Sequence, residues 1–194
     1  MNKTIPIIAC SVFKDAIAYL KDWMADRPFA FSYLPSHLHL KPADLKRQLM
    51  AAIRQSKRHA PCMGCLYGQC FADIDHQLTL AEVLRIPCGH CYEVLLGPQR
   101  YRQIVSDHPG TFFVEKELLL DFDTLCREPL ALDDPEMREL FFLHYRQVVY
   151  IRQPLDPDLT APARHVADLL GLALRVEDAD YEELKRFLIE LQRC

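Results

Sequence analysis

Short apolar runs alternate with stretches of helical period along almost the whole chain, and this alternation limits the fold more than any other feature. Ile5–Cys10 is a continuous apolar run, as in a strand covered on both faces. Phe13, Ile17, Leu20 and Met24 then recur at helical spacing. Phe29–Leu34 reads as a second strand, and Pro42 opens a helix with Leu45, Leu49 and Ile53 on one face. Further strands are predicted over 62–67, 84–87 and Thr111–Val114, with a short helical connection over 79–84 and a helix over 91–105 that Pro109-Gly110 ends. Over 115–134 the pattern is mixed and predicts no defined element. Met137, Leu140, Phe141 and Tyr145 predict a helix, and 148–151 a strand. Pro162 starts a helix that Gly171 closes as a C-cap. Leu172, Leu174 and Val176 alternate as in a strand, and Leu184, Phe187, Leu188 and Leu191 mark a final helix. Strands alternating with helices predict an α/β fold with a mainly parallel sheet flanked by helices, Rossmann-like in plan. The mixed stretch suggests a cysteine-bearing lobe over 1–114 and a C-terminal α/β portion over 115–194 packed on it, with one single domain as the alternative.

Composition narrows the function. Of 194 residues, half are hydrophobic and 26% charged, as in globular domains. Lys and Arg number 23 against 27 Asp and Glu, a net charge of -4, which argues against a nucleic-acid partner. No apolar stretch is long enough to span a bilayer. With only 6 glycines the chain has no Gly-rich phosphate loop. Lys3 followed by the apolar run, with Ile8-Ala9-Cys10-Ser11, faintly resembles a lipoprotein signal. Pro6 and the early Lys14-Asp15 make a buried first strand the better reading. The expectation is then a cytoplasmic protein with reduced thiols.

Eight cysteines are unusual for such a chain, and five of them, Cys62, Cys65, Cys70, Cys88 and Cys91, fall within thirty residues. Thiolate and imidazole are the donors that zinc and iron–sulfur clusters select. Small buried hydrophobes would explain the isolated Cys126 and Cys194, but hardly such a cluster. Three metal readings compete. A zinc ribbon would use Cys62, Cys65, Cys88 and Cys91, with Pro61 and Gly64 suiting a tight knuckle. Against it, residues three apart in a strand face opposite sides. An iron–sulfur cluster would use some four of the cysteines, with His90 inside the second C-x-x-C pair. A mononuclear zinc with an open position would activate a thiol or water. Cys62 and Cys65 could also cycle as a redox dithiol. His37, His39, Asp73, Asp75 and His76 read more simply as solvated loop residues. Arg85, Arg100 and Arg102 are candidate anion ligands, and Phe112-Phe113 and Phe141-Phe142 read as core.

Ile86-Pro87-Cys88-Gly89-His90-Cys91, Leu95-Leu96-Gly97, Arg100-Tyr101 and Pro109-Gly110-Thr111 resemble the signature of the domain-of-unknown-function family sixteen-thirty-eight of methanogens and other anaerobes. Ile8-Ala9-Cys10, Leu38-His39 before Pro42, Tyr67-Gly68-Gln69-Cys70 and Val148-Val149-Tyr150-Ile151 are similar to further motifs of it. The resemblance covers nearly the whole chain and is specific as a set. It implies functional positions at Cys10, His39, Cys70 and Cys91. It also implies a setting beside corrinoid-dependent methyltransferases, hence a corrinoid protein or methyltransferase as partner and one-carbon or methyl transfer as the context. This chain departs from the pattern at Cys88, where the family carries Arg, at Gly89-His90, and in the additional Cys62 and Cys65.

Sites in open parallel sheets form beyond the carboxyl ends of the strands, where strand order reverses. Cys10, His39, Cys70 and Cys91 each follow a predicted strand, so Cys10, Cys70 and Cys91 are expected to converge, with Cys88 or His90 close by and His39 in the same cleft. The functional expectation is a metalloprotein holding an iron–sulfur cluster, or failing that zinc. Cys10, Cys62, Cys65, Cys70, Cys88, Cys91 and His90 are its candidate ligands, and His39 and Arg100 would face the cofactor. The alternatives are a zinc-dependent thiol methyltransferase and an accessory protein with a structural zinc.

Overall fold

A computed structural model describes residues 4–57, 60 and 62–194. Pro61 and Lys3, which entered the knuckle and signal readings, lie outside them. The chain forms β1 (Ile5–Cys10), α1 (Lys14–Tyr19), β2 (Phe29–Leu34), α2 (Pro42–Lys57), β3 (Gly64–Leu66), α3 (Ile74–Leu80) and β4 (Leu84–Arg85). Then come α4 (Cys91–Leu96), α5 (Pro98–Asp107), β5 (Thr111–Val114), α6 (Lys116–Leu120), α7 (Pro135–Phe142), β6 (Gln147–Arg152), α8 (Thr160–Leu170), β7 (Ala173–Asp178) and α9 (Glu182–Leu191). The α/β class is as the alternation predicts, with every strand pair parallel.

The strands form two sheets, one of four strands in the order β2-β1-β3-β4 and one of three in the order β5-β6-β7. The chain divides accordingly into two compact units. The first comprises the chain up to Leu95 together with Asp180–Cys194, and the second is Leu96–Ala179. The divisions thus fall at Leu95 and Ala179, whereas the sequence pattern places one boundary near 115. β5 pairs with β6 and so belongs to the second unit, while α9 returns to the first.

In the first unit β1 is central, with Ile7 and Ala9 wholly buried. The amphipathic face of α2 buries Leu45, Leu49 and Ile53, each contributing about 2 kcal/mol on removal from water. α9 packs through Leu184, Phe187, Leu188 and Leu191. A Cβ at Gly64 would stand 2.6 Å from a Leu191 methyl carbon, so glycine there lets α9 close on β3. The second unit is built on Val114, Val148, Tyr150, Ala163, Val166 and Ala167, with Phe112, Phe142 and Tyr145 in edge-to-face and tilted contact beside them. Phe141, read as core, is 41% exposed.

Several predicted boundaries move for identifiable reasons. The helix expected over 91–105 breaks into α4 and α5 because Gly97 adopts φ 77° and Pro98, at the first turn of α5, has no N–H to continue the ladder. The strand expected over 62–67 shortens to β3. The helical connection expected over 79–84 is α3, ending at Leu80. The 115–134 stretch holds α6 and a π-helical turn over Asp123–Arg127. Glu115 caps α6 by accepting from the N–H groups of Glu117 and Leu118.

Candidate metal centre

In the four-stranded sheet the chain runs from β1 out to β2 and then back across to β3. Strand order therefore reverses between β1 and β3, and it is beyond the carboxyl ends at such a reversal that open parallel sheets form their sites. Cys10 is the last residue of β1. The segment Tyr67-Gly68-Gln69-Cys70 leaves β3, and Cys88 and Cys91 lie on the loop that leaves β4 and enters α4.

These chain segments bring three thiols together. Cys91 is electrostatically coupled to Cys10 and to Cys70. The Gly68 backbone N–H acts to lower the thiol pKa of both Cys70 and Cys91. This is possible because the two loops nearly touch: a Cβ at Gly68 would meet the Gly89 carbonyl oxygen at 2.9 Å and the His90 Cα at 3.0 Å. Gln69 N–H donates to the Gly89 carbonyl over 2.9 Å. Cys65 is wholly buried and lies in the field of Cys70 and Cys88. The Cys88 thiol points at the Tyr67 carbonyl, 3.9 Å away.

The electrostatics keep Cys65, Cys70, Cys88 and Cys91 protonated. The hydrogen bond to Cys10 holds the Cys91 thiol well above its ordinary range. The contact with Cys91, then burial, does the same for Cys70. Burial raises Cys65 and pushes Cys88 up to about 12. Arg85 opposes the rise at Cys65, Cys70 and Cys88. Its guanidinium bonds the carbonyls of Tyr67 at 2.9 Å and Cys88 at 2.8 Å, and pairs with Asp75 at 2.7 Å. Arg85 thus braces the two thiol-bearing loops. Uncharged thiols are poor nucleophiles, so this cluster is not suited to attacking a substrate unaided.

Tyr67 closes the cluster. It is 1% exposed, and its hydroxyl lies in the field of Cys10, Cys65, Cys91 and Cys70. Among the described residues that hydroxyl has no hydrogen-bond partner. Two histidines stand at the rim. His90 is exposed, with its ring tilted on Tyr92 at 4.4 Å. Desolvation, and after it the nearby His39, holds its imidazole below the usual value. His39, on the turn after β2, is anchored by its Nδ1 to the Ser36 carbonyl oxygen at 2.6 Å.

The remaining candidates fall elsewhere. Cys62, expected among the ligands, is joined to Cys194 in a disulfide with Cα atoms 5.8 Å apart. This corrects three expectations: the zinc ribbon, the Cys62–Cys65 dithiol and a fully reduced set of thiols. The reason is the pleat. Cys62 and Gly64 face α9, where the Leu191 carbonyl lies 3.7 Å from the Cys62 sulfur. Cys65 and Tyr67 face the other thiols. Arg100, expected to face a cofactor, belongs to the second unit and forms a two-pronged pair with Glu177 at 2.7 and 2.9 Å. Asp73 is paired with Lys46, and Cys126 packs at the edge of the second unit's core. Among the described residues no three His, Cys, Asp or Glu side chains are arranged to hold a metal ion as they stand. No described helix is long and apolar enough to cross a membrane.

The family model described as a protein of unknown function, DUF1638, matches residues 33–188. The chain belongs to this family. No curated protein and no solved structure matches it. In this DUF1638 member the matched residues include Cys65, Cys70, Cys88 and Cys91, and Cys10 lies ahead of them. The sequence pattern alone does not reveal the parts played by Gly68 and Arg85. Tyr67 is discernible from its two-residue spacing to Cys65, which places both on one face of a strand. The Gly68 approach depends on a loop twenty residues away and leaves no local signal.

Proposed function

We propose that this DUF1638 protein is a cysteine-ligated metalloprotein, with Cys10, Cys70 and Cys91 as ligands and an iron–sulfur cluster as the group held. The observation that carries the reading is the placement of Cys10, Cys70 and Cys91 at the carboxyl ends of β1, β3 and β4, at the reversal of strand order, where they are electrostatically coupled. The donor set fits the group. Soft thiolates select clusters and zinc, and N–H groups directed at sulfur are a means by which proteins tune clusters. Three protein ligands leave one position for a fourth donor or a substrate. Cys65, Cys88 and His90 are the nearest candidates, with His39 at the rim.

When bound, a cluster would supply electron transfer or an open iron that anchors a substrate. The chain's own residues hold it, shield it from water and place Arg85 to offset its negative charge. We assign this activity to anaerobic one-carbon metabolism linked to corrinoid methyl transfer, with a corrinoid protein or methyltransferase as partner, on the strength of the family context. A second reading is favoured by the three-thiol count itself: zinc with an open position would bind a thiol substrate and make it a nucleophile for methyl transfer. Protein prepared without oxygen decides between them. Broad visible absorption with iron and sulfide at about one site per chain is expected. Zinc without colour would favour the second reading, and absence of both metals would end both.

A further inference from the structure

β2 is the edge of the four-stranded sheet, and among the described residues it pairs with β1 alone. Its run, Phe29-Ala30-Phe31-Ser32-Tyr33-Leu34, holds no charge, no proline and no break in register. Soluble proteins usually blunt a sheet edge with a charge, a proline or a bulge. The Ile5 N–H donates to the Pro28 carbonyl oxygen over 2.6 Å, which sets the phase of the ladder. In a parallel pair, alternate residues of an edge strand bond the neighbour and the others face away. Ala30, Ser32 and Leu34 therefore serve β1, and Phe29, Phe31 and Tyr33 direct their N–H and C=O groups outward. The Phe29 N–H is spent on the Arg27 carbonyl at 2.9 Å, and the outward groups of Phe31 and Tyr33 have no partner among the described residues. The aromatic rings lie along one face, with centroids 6.1 and 6.4 Å apart, while Ala30 and Ser32 are exposed on the other.

We propose that a second copy of the chain docks on this edge, β2 against β2, antiparallel across a two-fold axis at Phe31. A two-fold contact has to be self-complementary, and this strand is. With Phe31 opposite Phe31, each copy's Phe29 comes opposite Tyr33 of the other, so aromatic side chains meet at every outward position on one face. Each Phe31 donates to and accepts from the other, and each Tyr33 N–H donates to the second copy's Phe29 carbonyl. Every free outward donor of the strand is then paired. Charge agrees with the antiparallel sense. Exposed Asp26 precedes the strand, and exposed Lys14 stands at its far end, its ammonium 5.8 Å from the Tyr33 ring centroid. Arg27, between Asp26 and the strand, lays its guanidinium on the Trp23 ring at 4.0 Å. Pairing brings the Asp26 end of each strand to the Lys14 end of the other. A strand of another protein could reach the same backbone groups, but the match of rings and charges is to this chain itself. The pairing does not depend on the metal reading.

The test is sedimentation of the full chain from about 1 to about 100 μM, because an edge contact smaller than a standard interface is expected to associate in the micromolar range. The mean mass should rise toward twice that of the chain, and hydrogen exchange at the Phe31 and Tyr33 amides should slow as it rises. Phe31→Lys and Phe31→Glu each set like charges face to face at the two-fold axis and should weaken association about tenfold or more. An equal mixture of the two should restore it, since the lysine of one copy then meets the glutamate of the other. Wild type that keeps single-chain mass up to about 100 μM would overturn the proposal and leave the edge to another protein's strand. So would a dimer whose Phe31 and Tyr33 amides exchange as fast as the monomer's, Phe31 variants that associate as wild type does, or a mixture no heavier than either variant alone. Should the Phe31 variants fail to fold, exposed Ala30 and Ser32 take their place. In this register Ala30 of one copy lies opposite Ser32 of the other, so the double variant Ala30→Glu, Ser32→Glu must weaken the dimer by a similar factor. Unchanged association there would also overturn the proposal.

Discussion

Both units are parallel sheets flanked by helices, yet the carboxyl ends of their strands carry different chemistry. The first sheet reverses its order between β1 and β3, and the thiols of Cys10, Cys65, Cys70, Cys88 and Cys91 gather there. The second runs β5-β6-β7 without a reversal. Beyond its strands stand Glu115, which is 3% exposed, and Asp156, which accepts from the Tyr150 hydroxyl at 2.7 Å and the Gln153 N–H at 2.9 Å. One oxygen of Asp156 is buried without a partner among the described residues. A parallel sheet directs loops and side chains toward its carboxyl edge in both cases. What differs is that a reversal separates the two neighbouring loops and opens a crevice between them, whereas consecutive strands leave no such gap. The second edge accordingly turns its carboxylates inward, onto the N–H groups of α6 and of the turn after β6.

The widest separation between the units should appear in metal content. Cys91 is electrostatically coupled to both Cys10 and Cys70, whereas Cys126 lies at the margin of the second core. Cys91→Ser should retain less than about a tenth of the bound metal, since metal affinity depends on each ligating thiolate. Cys126→Ser should retain all of it. Elemental analysis of the two variants, prepared without oxygen, makes the comparison. Equal metal loss in both would place the donors outside the first unit and dissolve the contrast.

The disulfide is a second asymmetry, since it closes the first unit only. It joins Cys62 to Cys194 across a sequence separation of 132. Closing so long a loop restricts the unfolded chain, and about 5 kcal/mol of stability is expected from it. Cys194→Ser should lose that amount in denaturant unfolding, and a dithiol reductant should bring wild type down to the variant while leaving the variant unchanged. Because Cys62 faces α9 and Cys65 the opposite side, metal uptake should stay within twofold of wild type. A Cys194→Ser protein that folds equally well but no longer binds metal would show that the two faces of β3 are not independent.

The sequence makes some of this legible and hides the rest for physical reasons. Ile5–Cys10, Phe29–Leu34 and Thr111–Val114 are read correctly because a continuous apolar run between polar turns has few other meanings. The convergence of Cys10, Cys70 and Cys91 follows from topology: once the sheet is parallel, residues ending neighbouring strands share an edge. The 62–67 segment is harder. Its cysteine spacing resembles a metal knuckle, and nothing local reveals that α9 returns to cover one face and brings Cys194 to Cys62. The division into two units is hidden for the same reason, because α9 lies far along the chain from the strands it covers. Arg100 illustrates the limit of reading charge: an arginine on a helix looks like an anion ligand until Glu177, seventy-seven residues on, is seen to hold it.

The smallest predicted effect belongs to the second unit and tests whether the polar groups at its edge serve internal contacts alone. Burial, then the nearby carboxylates of Glu117 and Asp156, pushes Glu115 up from 4.5 to about 7, against the lowering effect of the Glu117 and Leu118 N–H groups it caps. An acid whose folded value lies above its unfolded value binds more protons in the folded state between the two, so stability falls as pH rises through that window. The contribution is fully present below about pH 4.5, declines toward pH 7 and is gone above it. The total change is about 3 kcal/mol, because each tenfold difference in proton affinity between the folded and unfolded states corresponds to about 1.36 kcal/mol. Glu115→Gln cannot ionise and keeps one acceptor for the α6 N–H groups, so its stability should be nearly flat over the same range. At pH 5 it should be about 1 kcal/mol less stable than wild type, for the one hydrogen bond lost. Denaturant unfolding of both proteins at pH 5 and pH 8 measures the difference in slope. The same slope in both would mean that Glu115 does not govern the acid response of the second unit, and Asp156 would then be the residue to replace.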